Sequence, residues 1–202
     1  MATCGNEKFL FIHVPKTGGM WVTEALQEAG IEVEEEFGAT PEHPLLSELE
    51  RRGRFTFAFV REPLSWYASI WKFRNYFHLH KGPTEVQLPY DRFIELDFPD
   101  FIDNVSKQLP GFLSHHYAQF VGPHDQEIDF VGRYESLVDG VVSALRAADQ
   151  DFDEEALRSF PPINVSGPHP DCPQAVRLQL MQAESEAYER FYRSETATSS
   201  LS

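Results

Sequence analysis

Phe9-Leu10-Phe11-Ile12-His13-Val14-Pro15-Lys16-Thr17-Gly18-Gly19 decides the fold of this chain. Phe9 to Ile12 is an apolar run of β-forming side chains, the pattern of a strand buried on both faces of a parallel sheet. His13-Val14-Pro15 ends it. After the glycines, Val22, Ala25, Leu26 and Ala29 recur at helical spacing, and Gly30 stops the helix. A strand, a tight glycine turn and a helix together make an anion site. Glycine lets backbone N–H groups approach an oxyanion, and the helix N-terminus adds partial positive charge. Lys16 adds a full charge and Thr17 a hydroxyl donor. The stretch is not a Walker A sequence, since no G-x-x-x-x-G-K-[ST] is present. The plain alternative is an ordinary βα turn with a solvated lysine.

Phe55-Thr56-Phe57-Ala58-Phe59-Val60 reads as the second buried strand, central and beside the first. Arg61-Glu62-Pro63 follows, and Pro63 suits the opening of a helix through Ile70, Trp71 and Phe73 to about Tyr76. Arg61 offers a planar fork to a phosphate. Ser69, about two helical turns along at ~1.5 Å per residue, is within reach of the same oxygens. Taken singly, Arg61 also reads as a surface or helix-capping ion pair, and Ser69 as an exposed helical serine.

These two stretches resemble the nucleotide site of sulfotransferases that use 3′-phosphoadenosine 5′-phosphosulfate (PAPS), of the carbohydrate-type and bacterial kind. Pro15-Lys16-Thr17-Gly18-Gly19 is similar to their 5′-phosphosulfate loop. Val60-Arg61-x-Pro63 with Ser69 is similar to their 3′-phosphate motif, with Glu62 where Asp or Asn is usual. The resemblance implies a P-loop-like three-layer α/β/α fold with a central, mostly parallel sheet of about four to five strands. It implies that Pro15, Lys16, Thr17, Gly18, Gly19, Met20, Trp21, Arg61 and Ser69 bind PAPS and its product, 3′-phosphoadenosine 5′-phosphate (PAP). Met20 departs from the pattern, because many members carry Thr there. Trp21 sits where several relatives have Trp, either near the adenine or packed in the core. Arg133-Tyr134-Glu135-Ser136-Leu137 resembles a strand-end stretch of the same family and supports the fold only. Ile163-Asn164-Val165-Ser166-Gly167 resembles its C-terminal N-x-S loop.

Composition bounds the partners. A chain of 202 residues reads as one domain, here 1–193, followed by a flexible polar tail, 194–202. No apolar run approaches the ~20 residues of a membrane span. The N-terminus lacks a signal peptide's apolar core. Two cysteines are too few for a disulfide framework, so a reducing, cytoplasmic location is expected. A net charge of −15 argues against nucleic acid, an anionic membrane or a polysulfated acceptor. The acceptor reads instead as a small-molecule or sugar-like alcohol or amine. Oligomeric state stays open.

The rest of the chain reads more loosely. Ile31 to Glu36 is either a short exposed strand or, preferred for Glu34-Glu35-Glu36, a solvated acidic turn. Thr40 is a helix cap before Pro41, and Leu45, Leu46 and Leu49 suggest a short helix ending near Gly53. Phe77 to Leu88 reads as a loop, a lid or acceptor-binding segment. His78 and His80 lack a third ligand at metal spacing, so no metal is expected. Tyr90 to Leu109 is broadly helical with Pro99 as an interruption, and Phe112 to Val121 is a further apolar stretch. Glu127 to Glu135 is a third strand, followed by a helix with Leu137, Val138, Val141, Val142 and Leu145 on one face. Asp149 to Glu155 is an acidic linker and Pro173 to Tyr192 a final helix.

In-line sulfuryl transfer needs positioning and charge stabilisation, and a base for the acceptor proton. Lys16 is the expected catalytic cation. His43, between the two motifs, is the expected base; His78, His80, His115 and His116 are alternatives and Glu62 a remoter one. His13 reads as structural. Two other readings stand beside this one: a P-loop nucleotide kinase or NTPase, and a non-catalytic relative that binds a phosphorylated ligand or a partner protein.

Overall fold

The computed structural model describes residues 3–38, 43–81, 88–124, 126–164, 167 and 170–193. The expected Thr40 cap with Pro41, the 82–87 part of the lid segment, Ser166 and the tail 194–202 lie outside the described residues.

The chain groups into two units, Met1–Arg61 with His115–His169, and Glu62–Ser114 with Pro170–Ser202. The first unit holds the sheet. Its strands are β1 (Thr3–Gly5), β2 (Phe9–Ile12), β3 (Glu34–Glu36), β4 (Phe55–Val60) and β5 (Phe130–Arg133), in the order β3-β1-β2-β4-β5. β2, β4 and β5 are parallel neighbours, with Phe11 opposite Phe57 and Ala58 opposite Val131. β1 pairs antiparallel to both β2 and β3. The sheet is therefore mixed, where a mostly parallel one was expected; the five-strand count agrees.

The antiparallel half is what the sequence concealed. β1 is three residues long, and its register with β2 is set by the Asn6 side chain, whose Oδ1 accepts from the Lys8 and Phe9 amides at 2.9 and 3.2 Å. Glu34 to Glu36 is an edge strand, not a solvated turn. Charged side chains at an edge discourage further pairing, and Glu36 is held by Arg54 at 2.5 Å.

One face of the sheet is phenylalanine. Phe9, Phe11, Phe57 and Phe59 are fully or almost fully buried against Val22 and Leu26 of α1 (Gly19–Glu28) and against Val141 and Leu145 of a helix over Leu137–Ala147. Burying each ring contributes about 2–3 kcal/mol. Leu10, Ile12, Ala58 and Val60 alternate to the opposite face and are equally buried.

The second unit is helical. α2 (Pro63–Lys81) runs one turn past the expected end at Tyr76, so Phe77 to Lys81 is helix rather than loop. α3 (Phe98–Gln108) begins at Asp97, whose carboxylate caps Asp100, and Pro99 opens this helix instead of interrupting one. α4 (Phe112–Val121) starts in this unit, and from His115 onward it belongs to the first. In the first unit, α5 (Leu137–Ala147) follows a single 3₁₀ turn at Tyr134–Ser136. The acidic linker contains a helix, α6 (Glu154–Ser159), capped by Asp153.

The final helix of the second unit is two, α7 (Gln174–Ala183) and α8 (Ser185–Phe191). They break at Glu184, a buried carboxylate that accepts from Tyr67 Oη, the Leu113 and Ser114 amides and Ser114 Oγ at 2.8 to 3.0 Å. A buried carboxylate needs such a set of donors, and they are worth more here than a continuous helix.

Candidate functional site

The parallel pairing brings three chain segments to one edge of the first unit. β2, β4 and β5 end in register, so the residues that follow them, 13–18, 61 and 134–136, gather at the carboxyl edge of the sheet. That is where open α/β sheets hold their ligands.

The turn after β2 is tightly made. Lys16 has φ +66 and Gly18 φ +87. The left-handed conformation costs a non-glycine residue about 1 kcal/mol, so Lys16 is held there by its surroundings. The Thr17 hydroxyl donates to the Val14 carbonyl at 2.8 Å and is buried. Its proton closes the turn, whereas the sequence suggested a donor for a bound anion. The glycines serve the chain's own packing. A Cβ on Gly18 would lie 2.7 Å from Leu137 Cδ2 and 3.2 Å from the Tyr134 ring. A Cβ on Gly19 would lie 1.9 Å from His13 Cδ2. With both walls occupied by side chains, the loop lies flat against the sheet edge and α1 starts at Gly19. Its N-terminus has no side-chain cap and no acidic residue in its first turn. The backbone amides of Gly19, Met20 and Trp21 are those a helix start leaves without intrahelical acceptors.

Arg61 joins the loop from β4. Its guanidinium Nη1 donates to the Lys16 carbonyl at 3.3 Å, and its Cζ lies 4.2 Å from the centroid of the Tyr134 ring. Its backbone is pinned on both sides by Tyr117 of α4: the Arg61 amide donates to Tyr117 Oη at 3.1 Å, and Tyr117 Oη donates to the Arg61 carbonyl at 2.6 Å. Burial first, and then the like charge of Arg61, push the Lys16 ammonium from 10.5 down to about 8. Lys16 and Arg61, the two residues the anion-site reading depends on, therefore share one corner of the first unit.

Histidines flank the other side of the loop. His13 is buried, its ring stacked near Phe11 and packed on Gly19. The His43 ring meets that of His13 edge-on, centroids 4.7 Å apart, and its Nδ1 lies 3.3 Å from the His13 carbonyl oxygen. A carbonyl only accepts, so Nδ1 is the ring nitrogen that carries a proton in this contact. His116 packs its ring on Phe120 at 5.0 Å. Burial, and then the charges of His43 and His115, lower its pKa to about 4, so it is neutral at pH 7. In the second unit, His78 pairs with Glu95 at 2.7 Å and His80 Nδ1 bonds the Tyr76 carbonyl at 2.8 Å, both along α2. Among the described residues no group of His, Cys, Asp or Glu is placed to hold a metal ion.

Several expected site residues sit differently. Trp21 is a core residue, 6% exposed and tilted against Phe160 at 6.0 Å. Met20 is exposed, and its Sδ accepts from Asn164 Nδ2 at 3.5 Å. This brings Asn164 to the start of α1. Ser69 is buried in α2 and belongs to the second unit, whereas Arg61 belongs to the first. Glu62 is committed to the second unit, accepting from the Ser65 amide at 2.7 Å as the cap of α2 and from the Tyr188 hydroxyl. Tyr134, Tyr117 and His13 are the site residues that sequence reasoning missed or set aside. Tyr134 carried a signal in its strand-end stretch; Tyr117 is an isolated aromatic in an apolar helix and carried none.

Comparison of the chain with protein-family models, with curated proteins and with solved structures gives no match in any of the three.

Proposed function

We propose that the chain is a PAPS-dependent sulfotransferase of the P-loop-like α/β/α class, acting in the cytoplasm on a small-molecule or sugar-like alcohol or amine. The observation that carries this reading is the meeting of an uncapped helix start with two cations, Lys16 and Arg61, joined by the 3.3 Å bond from Arg61 to the Lys16 carbonyl. In a chain of net charge −15, cations gathered at a helix N-terminus favour a multiply charged anion. The donor set fits the nucleotide: fixed amides and an ammonium suit a phosphosulfate, and a planar guanidinium suits a phosphate monoester.

Pro15, Lys16, Thr17, Gly18, Gly19 and Met20 would hold the sulfated end, the loop doing so through backbone amides. Arg61 would hold the ribose phosphate. Bound there, PAPS supplies the sulfuryl group that passes to the acceptor oxygen or nitrogen. Lys16 neutralises charge where the 5′-phosphate departs. His43 takes the proton that the acceptor gives up.

A second reading, a non-catalytic protein that binds a phosphorylated ligand, is favoured by Met20 in place of a hydroxyl and by the Thr17 proton spent on Val14. The kinase reading has no support in the loop, because no Walker spacing exists.

Thermal melts with PAP, ATP with Mg²⁺, and AMP separate the three. PAP at about 100-fold over its Kd stabilises by ~2.7 kcal/mol, which is several degrees for a chain of this size. AMP and ATP with Mg²⁺ are expected to shift the midpoint little. A shift with ATP and Mg²⁺ alone supports a kinase, and no shift with PAP removes the sulfotransferase reading. PAP stabilisation without turnover of PAPS leaves the binding protein.

A further inference from the structure

The Tyr134 side chain touches both halves of the cation pair's support. Its ring lies under the Arg61 guanidinium at 4.2 Å. The same ring stands 3.2 Å from where a Cβ on Gly18 would be, so it also backs the loop two residues beyond Lys16. Arg61 completes the ring of contacts by reaching the Lys16 carbonyl at 3.3 Å. Tyr134 itself is the first residue of the 3₁₀ turn after β5, so its backbone is fixed by the strand that pairs with β4. We propose that Tyr134 is a positioning residue: its π face seats Arg61 and its edge walls Gly18, and by doing both it sets the distance between the Lys16 ammonium and the Arg61 guanidinium. The proposal rests on reading Lys16 and Arg61 as one anion site.

The physics requires something in this place. Two like charges in a half-buried corner repel, and a long arginine side chain would otherwise swing to solvent. An aromatic face attracts the guanidinium without neutralising it, which a carboxylate would do. The stack therefore keeps Arg61 near Lys16, and the ring itself adds no compensating negative charge. Tyr117 fixes only the Arg61 backbone, so it does not substitute for the ring. The role needs the π face and not the phenol oxygen.

The test reads the unliganded protein, so its outcome is independent of whether PAP binds. Lysine ε-carbon NMR follows the titration of Lys16, assigned by Lys16→Met. In the wild type it is expected to titrate near pH 8, lowered first by burial and then by the charge of Arg61. Tyr134→Phe is expected to leave that titration unchanged. Tyr134→Leu and Tyr134→Met, which lack the π face, are expected to move it up by about one pH unit or more as Arg61 leaves and water enters. Should the leucine and methionine variants fail to fold, the wild type decides alone: the Arg61 side-chain protons are expected upfield of ordinary arginine because they lie over the ring. Unshifted Arg61 protons overturn the proposal. So does a Tyr134→Leu titration that matches the wild type, or a Tyr134→Phe titration that moves as far as the leucine variant's. If these NMR results hold and PAP still fails to stabilise the protein, the positioning role stands and the sulfotransferase reading falls.

Discussion

Lys16→Met is expected to make the protein more stable and to remove its activity. The ammonium is held in a corner where burial and Arg61 lower its pKa from 10.5 to about 8. A lysine whose folded pKa is depressed destabilises the fold while it is charged. That cost is present in full below pH 8 and is relieved as pH rises from 8 toward 10.5, because the unfolded chain still binds a proton there that the folded chain has lost. Methionine keeps the aliphatic stem, tolerates the same backbone as Lys16 and carries no charge. At pH 7 the variant is expected to gain about 1–2 kcal/mol in urea unfolding, after allowance for solvent screening of a half-buried group. The gain is expected to shrink between pH 8 and 10. Sulfuryl transfer, measured with labelled PAPS, is expected to fall by about 100-fold or more, the cost of losing one group that stabilises charge in the transition state. A site that gives up stability to hold charge is a common mark of function. A variant that is less stable at pH 7, or one that transfers sulfate as the wild type does, contradicts this account of Lys16.

Gly19→Ala is expected to be strongly disruptive to the first unit. The new Cβ would stand 1.9, 2.2 and 2.5 Å from His13 Cδ2, Nε2 and Cγ. The ring cannot turn aside cheaply: it is buried, stacked near Phe11, and met edge-on by His43 at 4.7 Å. Overpacking of this kind costs about 1–3 kcal/mol, even though alanine is the better helix former by ~1 kcal/mol. The expected result is a lower urea midpoint with an unchanged slope, together with loss of any PAP-induced stabilisation, because the start of α1 is pushed from the sheet edge. His13→Ala in the Gly19→Ala background is expected to restore part of the midpoint, giving a coupling energy of about 1 kcal/mol or more. Additive effects of the two substitutions would show that ring and glycine do not press on one another.

The sequence carries the parallel half of the sheet better than the antiparallel half. Phe9 to Ile12 and Phe55 to Val60 are continuous apolar runs, and a strand buried on both faces leaves that mark. Thr3 to Gly5 is too short for a period, and its pairing depends on a turn held by the Asn6 side chain. Glu34 to Glu36 looks like a solvated turn because an edge strand displays charge for the same reason a turn does. The split of the last helix is invisible locally: Glu184 is an ordinary helix former until Tyr67 and Ser114, distant in sequence, present their donors. Of the site, Lys16 lies in the turn after one buried strand and Arg61 directly follows the other, which is why the sequence points to both. Tyr134 follows the half-buried third strand and reads in the sequence as a fold marker, since nothing there says that its ring lies under Arg61. Trp21 and Glu62 look functional by position and are spent on packing and on capping.

The most direct measurement is calorimetric titration of PAP into the wild type, Lys16→Met and Arg61→Ala at pH 7. The account predicts saturable binding to the wild type and a loss of about 10-fold or more in affinity in each variant, since each removes a charged partner worth ~1.5–3 kcal/mol. No heat of binding with the wild type, or equal affinity in all three proteins, would contradict a nucleotide held between Lys16 and Arg61.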